Sequence, residues 1–162
     1  MNAFNAYEVF EIAEQIERNG GKFYRRAAEI ASDEQAKGFL TKLAEMEDSH
    51  ESFFKSLKEK FSLEQDSPVP DLDNQTVAYL QAMAQGRVFS NIDDPSDKIK
   101  ADASVIEIID MAITFEKDTI IYFAAIKDLV PEDFGKNKID SLIKEEISHI
   151  GILLEEKKKV SA

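Results

Sequence analysis

Cysteine is missing from all 162 residues, and with it go disulfides, thiolate zinc sites, iron–sulfur clusters and any cysteine nucleophile. Tryptophan is missing too, so the aromatic content rests on eleven Phe and four Tyr. Positive charge is scarce: 20 Lys and Arg face 32 Asp and Glu, for a formal net charge of −12. A chain so acidic is expected to bind neither nucleic acid nor an anionic membrane surface, while it suits the attraction of metal cations. The first seventeen residues hold no Lys or Arg and do not read as a secretory signal. No apolar run approaches the ~20 residues needed to span a bilayer. The expectation is a cytoplasmic protein, folded as one domain over residues 1–162, with an ordinary 43% apolar and 32% charged content.

Helical periodicity dominates what is present. Val9, Ile12, Ala13, Ile16, Phe23, Tyr24, Ala27 and Ile30 form one apolar stripe. Ser32-Asp33-Glu34-Gln35 has the form of a capping box opening a second helix, with Ala36, Phe39, Leu40, Leu43, Phe53, Phe54 and Leu57 on one face. A third helix is expected from about Ala103 to Leu129, stopped by Pro131, and a fourth from about Phe134–Lys138 to Lys159. Between the second and third, Ser62 to Asn74 reads as loop, Val77 to Val88 as a short helix and Asn91 to Asp97 as turn. Two helical hairpins joined by one long crossover containing a short helix is the connectivity of an all-α, ferritin-like four-helix bundle.

The two hairpins share an internal pattern. A shift of 99 positions lays Glu17 on Glu116, Glu47 on Glu146 and His50 on His149, and also Ala13 on Ala112 and Leu43 on Leu142. Both histidines of the chain therefore sit in Glu-x-x-His, whose i, i+3 spacing puts the pair on one helix face. Each motif follows another glutamate by thirty residues, and the midpoints fall on Ser32 and Pro131, the expected turns. Residues equidistant from a hairpin turn share a height, here roughly 22 Å from it at ~1.5 Å per residue. Six side chains then lie in one layer, flanked along their helices by Leu43, Phe54, Phe115 and Leu142.

Four carboxylates in an apolar interior are prohibitively costly unless neutralised. Two divalent cations balance them, with the imidazoles completing the coordination, so Glu17, Glu47, His50, Glu116, Glu146 and His149 are the expected metal ligands. Without metal, crowding should raise some carboxylate pKa values. A lone Glu-x-x-His in an acidic helical protein is weak; two of them paired with inward glutamates at matched spacing are not. Glu17 is preferred over its near neighbour Glu14, because the shift matches Glu14 to Ile113. Tyr24 is read either as a hydrogen-bond donor to the site or as core. Gly20 and Gly21 mark either a close helix approach or a bend, and Glu145 is placed to orient a histidine from behind.

Glu17-Arg18-Asn19-Gly20-Gly21-Lys22-Phe23-Tyr24 and Glu116-Lys117-Asp118-Thr119, with the two Glu-x-x-His pairs, resemble the ligand motifs of the rubrerythrin-like branch of the ferritin-like superfamily. Tyr79-Leu80 through Gly86-Arg87-Val88-Phe89 resembles the same group. The resemblance implies a non-haem di-iron centre, with manganese or zinc as alternative metals, that performs oxidoreductase chemistry with peroxide or dioxygen. It departs in two places. No cysteine is present to build a rubredoxin iron site, so electrons are expected from a separate donor. Ile113 stands where peroxidase-active members place a further glutamate, leaving Glu14 as the nearest substitute. A small oligomer, a homodimer, is expected. The rival readings are ferritin-type iron oxidation or storage, and a non-catalytic, metal-stabilised bundle.

Overall fold

The computed structural model describes residues 6–62, 95–128, 130, 132 and 135–161. Among them are four long helices and no strand: α1 (Ala6–Ile30), α2 (Glu34–Ser62), α3 (Val105–Lys127) and α4 (Lys136–Ser161), with a 3-10 turn at Pro95–Lys98 before α3. The chain is an all-α four-helix bundle. The expected short helix at Val77–Val88, nearly all of the crossover around it, and Pro131 and Phe134 lie outside the described residues. No helix among the described residues is long and apolar enough to cross a membrane.

Each helix starts where local chemistry allows it. The cap of α2 falls one residue later than the sequence pattern suggests. Asp33, not Ser32, accepts the Ala36 N–H on its carboxylate at 2.8 Å, which satisfies one of the unpaired donors of the first turn. At α3 the complete reciprocal box forms: Ser104 Oγ accepts from the Glu107 N–H, and the Glu107 carboxylate accepts from the Ser104 N–H. Before α4, Gly135 adopts φ +112°, a left-handed conformation that an L side chain rarely takes.

The α1–α2 and α3–α4 pairs each form a closely packed hairpin, with fewer contacts between hairpins among the described residues. Arg25 clamps Asp48 through hydrogen bonds of 2.9–3.0 Å from α1 to α2, and Lys127 reaches Asp140 at 2.8 Å from α3 to α4. Gly20 and Gly21 sit within an unbroken α1. A Cβ on Gly21 would lie 3.0 Å from the Arg25 guanidinium of its own helix and 3.1 Å from the Asp48 carboxylate of α2, so this position is tightly bounded by that ion pair.

The buried apolar side chains divide into two clusters. One gathers Phe10, Ala13, Ile16, Phe54, Leu57, Tyr122, Phe123 and Leu142; the other gathers Phe23, Tyr24, Leu40, Leu43, Ile108, Ile109, Ala112 and Leu153. Along every helix, the six expected ligands fall between members of one cluster and members of the other. Glu17 lies between Ile16 and Phe23, for example, and Glu116 between Ala112 and Tyr122. The bundle thus has two apolar ends and a polar waist.

Candidate metal centre

Glu17 comes from α1, Glu47 and His50 from α2, Glu116 from α3, and Glu146 and His149 from α4. None of the six is more than 4% exposed. The structure brings them together as two interlocking groups, Glu17–Glu47–His50–Glu146 and Glu47–Glu116–Glu146–His149, each with one potential ligand atom per residue and all of these within 4.8 Å of one another. Glu47 and Glu146 belong to both groups, so the glutamates of the two Glu-x-x-His pairs stand between the positions while Glu17 and Glu116 serve one each.

The rings of His50 and His149 stack at 5.8 Å and 13°. Each turns Nδ1 inward. In His50 this atom lies 2.9 Å from Glu146 Oε1, 3.1 Å from Glu17 Oε2 and 3.6 Å from Glu47 Oε2. In His149 it lies 2.8 Å from Glu146 Oε2, 3.3 Å from Glu47 Oε1 and 3.4 Å from Glu116 Oε1.

Proximity here does not amount to mutual satisfaction. Glu17 Oε1, Glu47 Oε1, both Glu146 oxygens and both His149 nitrogens are buried without a well-oriented hydrogen bond. Such groups are costly unless something else satisfies them. Ligand atoms that converge on common points, rather than on one another, leave this signature. Four carboxylates and two imidazoles fit two hard-to-borderline divalent cations of the iron, manganese or zinc kind.

In the absence of metal, protons take over the balancing role. Burial, reinforced by Glu47 and Glu146, pushes the Glu17 carboxyl well above its usual range. Burial and the neighbouring Glu47 raise Glu116 to about 8. Burial also acts to raise Glu47, but contact with the His149 and His50 rings outweighs it and holds this carboxyl at about 2. Burial opposes charge on the histidines, yet the surrounding glutamates prevail: His149 rises to about 12 and His50 rises strongly too. Crowding therefore acts as expected on Glu17 and Glu116, and Glu47 moves the other way because it faces both rings.

Three neighbours extend the site. Tyr24 donates a hydrogen bond to Glu116 from α1 to α3. Burial first, then the Glu116 charge, pushes its own pKa well up, so the phenol keeps its proton. Glu145 lies 3.0 Å from Nε2 of His50, on the side of the ring opposite the carboxylates. Glu14 is buried but stands outside both groups, paired instead with Lys58 and Arg18, each at 2.5 Å. Burial works to raise the Glu14 pKa, and these two cations lower it overall. Lys58 was not singled out by sequence reasoning. The 99-residue shift lays Lys58 on Lys157, but the partner of Lys157, Asp110, matches Glu11 rather than Glu14, so the internal pattern carries no signal for this pairing.

Beside the glutamates, on the α1–α3 side, a cavity of about 10 Å³ is lined by Gly20, Tyr24, Phe115 and Thr119 together with Glu17, Glu47 and Glu116. That is room for about one water-sized molecule. A Cβ on Gly20 would lie 3.4 Å from Cγ and Cδ of Glu47, in ordinary van der Waals contact.

Residues 3–86 match the family model described as Rubrerythrin. A solved structure from Thermotoga maritima, described provisionally as a ferritin-like diiron-carboxylate protein, is similar in fold, with a TM-score of 0.76 over 99% of each chain at 22% identity. No curated protein matches the chain.

Proposed function

Because this chain belongs to the rubrerythrin family, we propose that it is a non-haem di-iron carboxylate oxidoreductase acting on peroxide or dioxygen. The observation that carries the reading is the pair of interlocking four-residue groups, buried, sharing Glu47 and Glu146, and left with unsatisfied oxygens and nitrogens. When bound, two Fe(II) ions supply one electron each, which with two protons convert a peroxide to two waters.

The protein's own part is to hold, to exclude and to supply protons. Glu17, Glu47 and His50 with Glu146 would hold one ion, and Glu116, Glu47 and His149 with Glu146 the other. Apolar clusters on both sides keep bulk water from this layer. The small cavity beside Gly20 would place one water-sized group against Glu17, Glu47 and Glu116 on the α1–α3 side. Tyr24, held as a phenol against Glu116 at the wall of that cavity, keeps a proton within reach of it. A separate electron donor would return the ions to the reduced state between turnovers.

Anaerobic loading with Fe(II), followed by stopped-flow mixing with hydrogen peroxide, tests the proposal. About two irons per chain should be oxidised by about one peroxide, with near-ultraviolet absorption rising as they are. Accumulation of tens of irons per chain as a soluble mineral, when excess Fe(II) is added in air, would replace this reading with iron storage. A chain that binds metal yet shows no spectral response to either oxidant would leave a metal-stabilised bundle.

A further inference from the structure

Glu145 and Met46 hold matching places in the two hairpins, each directly before the glutamate of a Glu-x-x-His pair. Only one of them can accept a hydrogen bond strongly. Glu145 Oε2 lies 3.0 Å from Nε2 of His50, so this ring is held on both edges, with Nδ1 facing Glu146 and Glu17. Among the described residues, Nε2 of His149 is buried with no hydrogen-bond partner. The two rings offer the same inward atom but differ in what fixes them from behind.

We propose that Glu145 is a positioning residue that makes the two metal positions unequal: the position built on His50 fills first, and the one built on His149 second. The inference rests on the two-metal reading above. An acceptor behind a ligating imidazole fixes its tautomer and ring orientation and raises the basicity of the opposite nitrogen. His50 therefore presents Nδ1 already aimed and already electron-rich. His149 must be oriented by the metal itself, and that ordering weakens its site. Glu145 is suited to the role because its own side chain is 40% exposed, so its charge stays partly solvated while its Oε2 reaches the buried ring. Lys138, 3.7 Å away, is its other charged neighbour.

Zinc serves as a redox-silent probe, read by calorimetry and by ring ¹⁵N resonances. The chain has only two histidines, so the spectrum is simple. In the parent, the first equivalent should move the Nδ1 signal of His50 and the second that of His149. Glu145→Met should weaken the first step by ~10–100-fold, the range for loss of such a partner, and merge the two steps. Glu145→Gln, which keeps an acceptor, should preserve the order. Met46→Glu should tighten the second step, and it stands as an independent test should Glu145→Met fail to fold. Simultaneous filling of both positions in the parent would overturn the inference and leave the two-metal reading intact. So would a Glu145→Met protein that melts earlier but keeps both binding steps unchanged, since that is the mark of a merely structural tie. A parent that takes up no buried zinc would overturn both.

Discussion

The α1–α2 and α3–α4 hairpins present the same three expected metal ligands at a constant offset, yet the residues around them differ. Glu14, Tyr24 and Glu145 have Ile113, Phe123 and Met46 as counterparts. On the two-metal reading proposed above, the expected ligands match because each ion would need a similar donor set and charge. Tyr24 and Glu145 each contact one of these six residues, whereas Glu14 is tied to Lys58 and Arg18 instead. They also cross over: Tyr24 on α1 supports Glu116 on α3, and Glu145 on α4 supports His50 on α2. Each hairpin thus contacts an expected ligand of the other.

The strongest way to break the comparison is to remove a shared ligand. Glu47→Ala and Glu146→Ala should each abolish both metals, lowering affinity by more than the ~100-fold that loss of an outer partner produces. Glu17→Ala and Glu116→Ala should each spare one metal. Elemental analysis after gel filtration distinguishes two, one and none. Equal stoichiometry in all four variants would show that sharing does not operate.

Next in size is Ile113→Glu, which gives α3 the carboxylate that α1 already has at Glu14. Ile113 is buried in the second apolar cluster and, unlike Glu14, faces no established cation pair. The metal-free variant should lose about 3 kcal/mol, as expected for a buried unpaired charge, measured by urea denaturation. Metal loading should recover much of it if the new carboxylate reaches an ion. A variant as stable as the parent without metal would mean that the two positions are not so different.

A pH series sharpens the contrast between protons and metal as balancing charge. Glu116 at about 8 and His149 at about 12 both lie above their ordinary values of 4.5 and 6.5. Raised groups stabilise the fold below their unfolded pKa, and that contribution is lost as pH rises through the folded one. Between pH 6.5 and 8 both should therefore make the metal-free protein less stable with rising pH. Glu47, at about 2, is lowered and acts only on the acid side, its contribution fading as pH falls from 4.5. The metal-loaded protein should show the opposite slope from pH 6.5 to 8, because ions and protons compete for the same atoms. Thermal melts in chelator and in Mn(II) across this window check the sign.

The smallest effect concerns Tyr24. Tyr24→Phe should cost about 1 kcal/mol through loss of one buried hydrogen bond to Glu116. Phe123→Tyr offers the reciprocal donor in the other half. Calorimetric melts of both, alone and combined, show whether the second position can use it.

Much of this was legible in the sequence, for identifiable reasons. Helix periodicity located four helices to within a few residues, and the thirty-residue spacing about each turn put six side chains at one height. The cap of α2 was misplaced by a residue because Ser32 and Asp33 both cap well, and only the path of the chain chooses between them. The pairing of Glu14 with Lys58 and Arg18 depends on which way long flexible side chains turn, which spacing does not encode. The sharing of Glu47 and Glu146 depends on how the helices are rotated in the bundle. Tyr24 and the two glycines were recognised as places of interest with two readings each. The reach of Tyr24 across to Glu116 on α3 decides its case, and the tight surroundings of Gly21 and the unbroken α1 favour close packing over a bend.

Only Ala31, Ser32 and Asp33 separate α1 from α2. Helical pairs with so short a link close in about microseconds, whereas joining the two hairpins must pay the entropy of a much longer loop. Glu17, Glu47 and His50 therefore come together early, in a half-built hairpin whose apolar face is still wet. Their charges lose water only when the second hairpin arrives with Glu116, Glu146 and His149. Folding of the chain should accordingly be limited by hairpin docking, a late step that bound metal should speed more than protons do, so chelator should slow the final phase while leaving the early helix signal untouched.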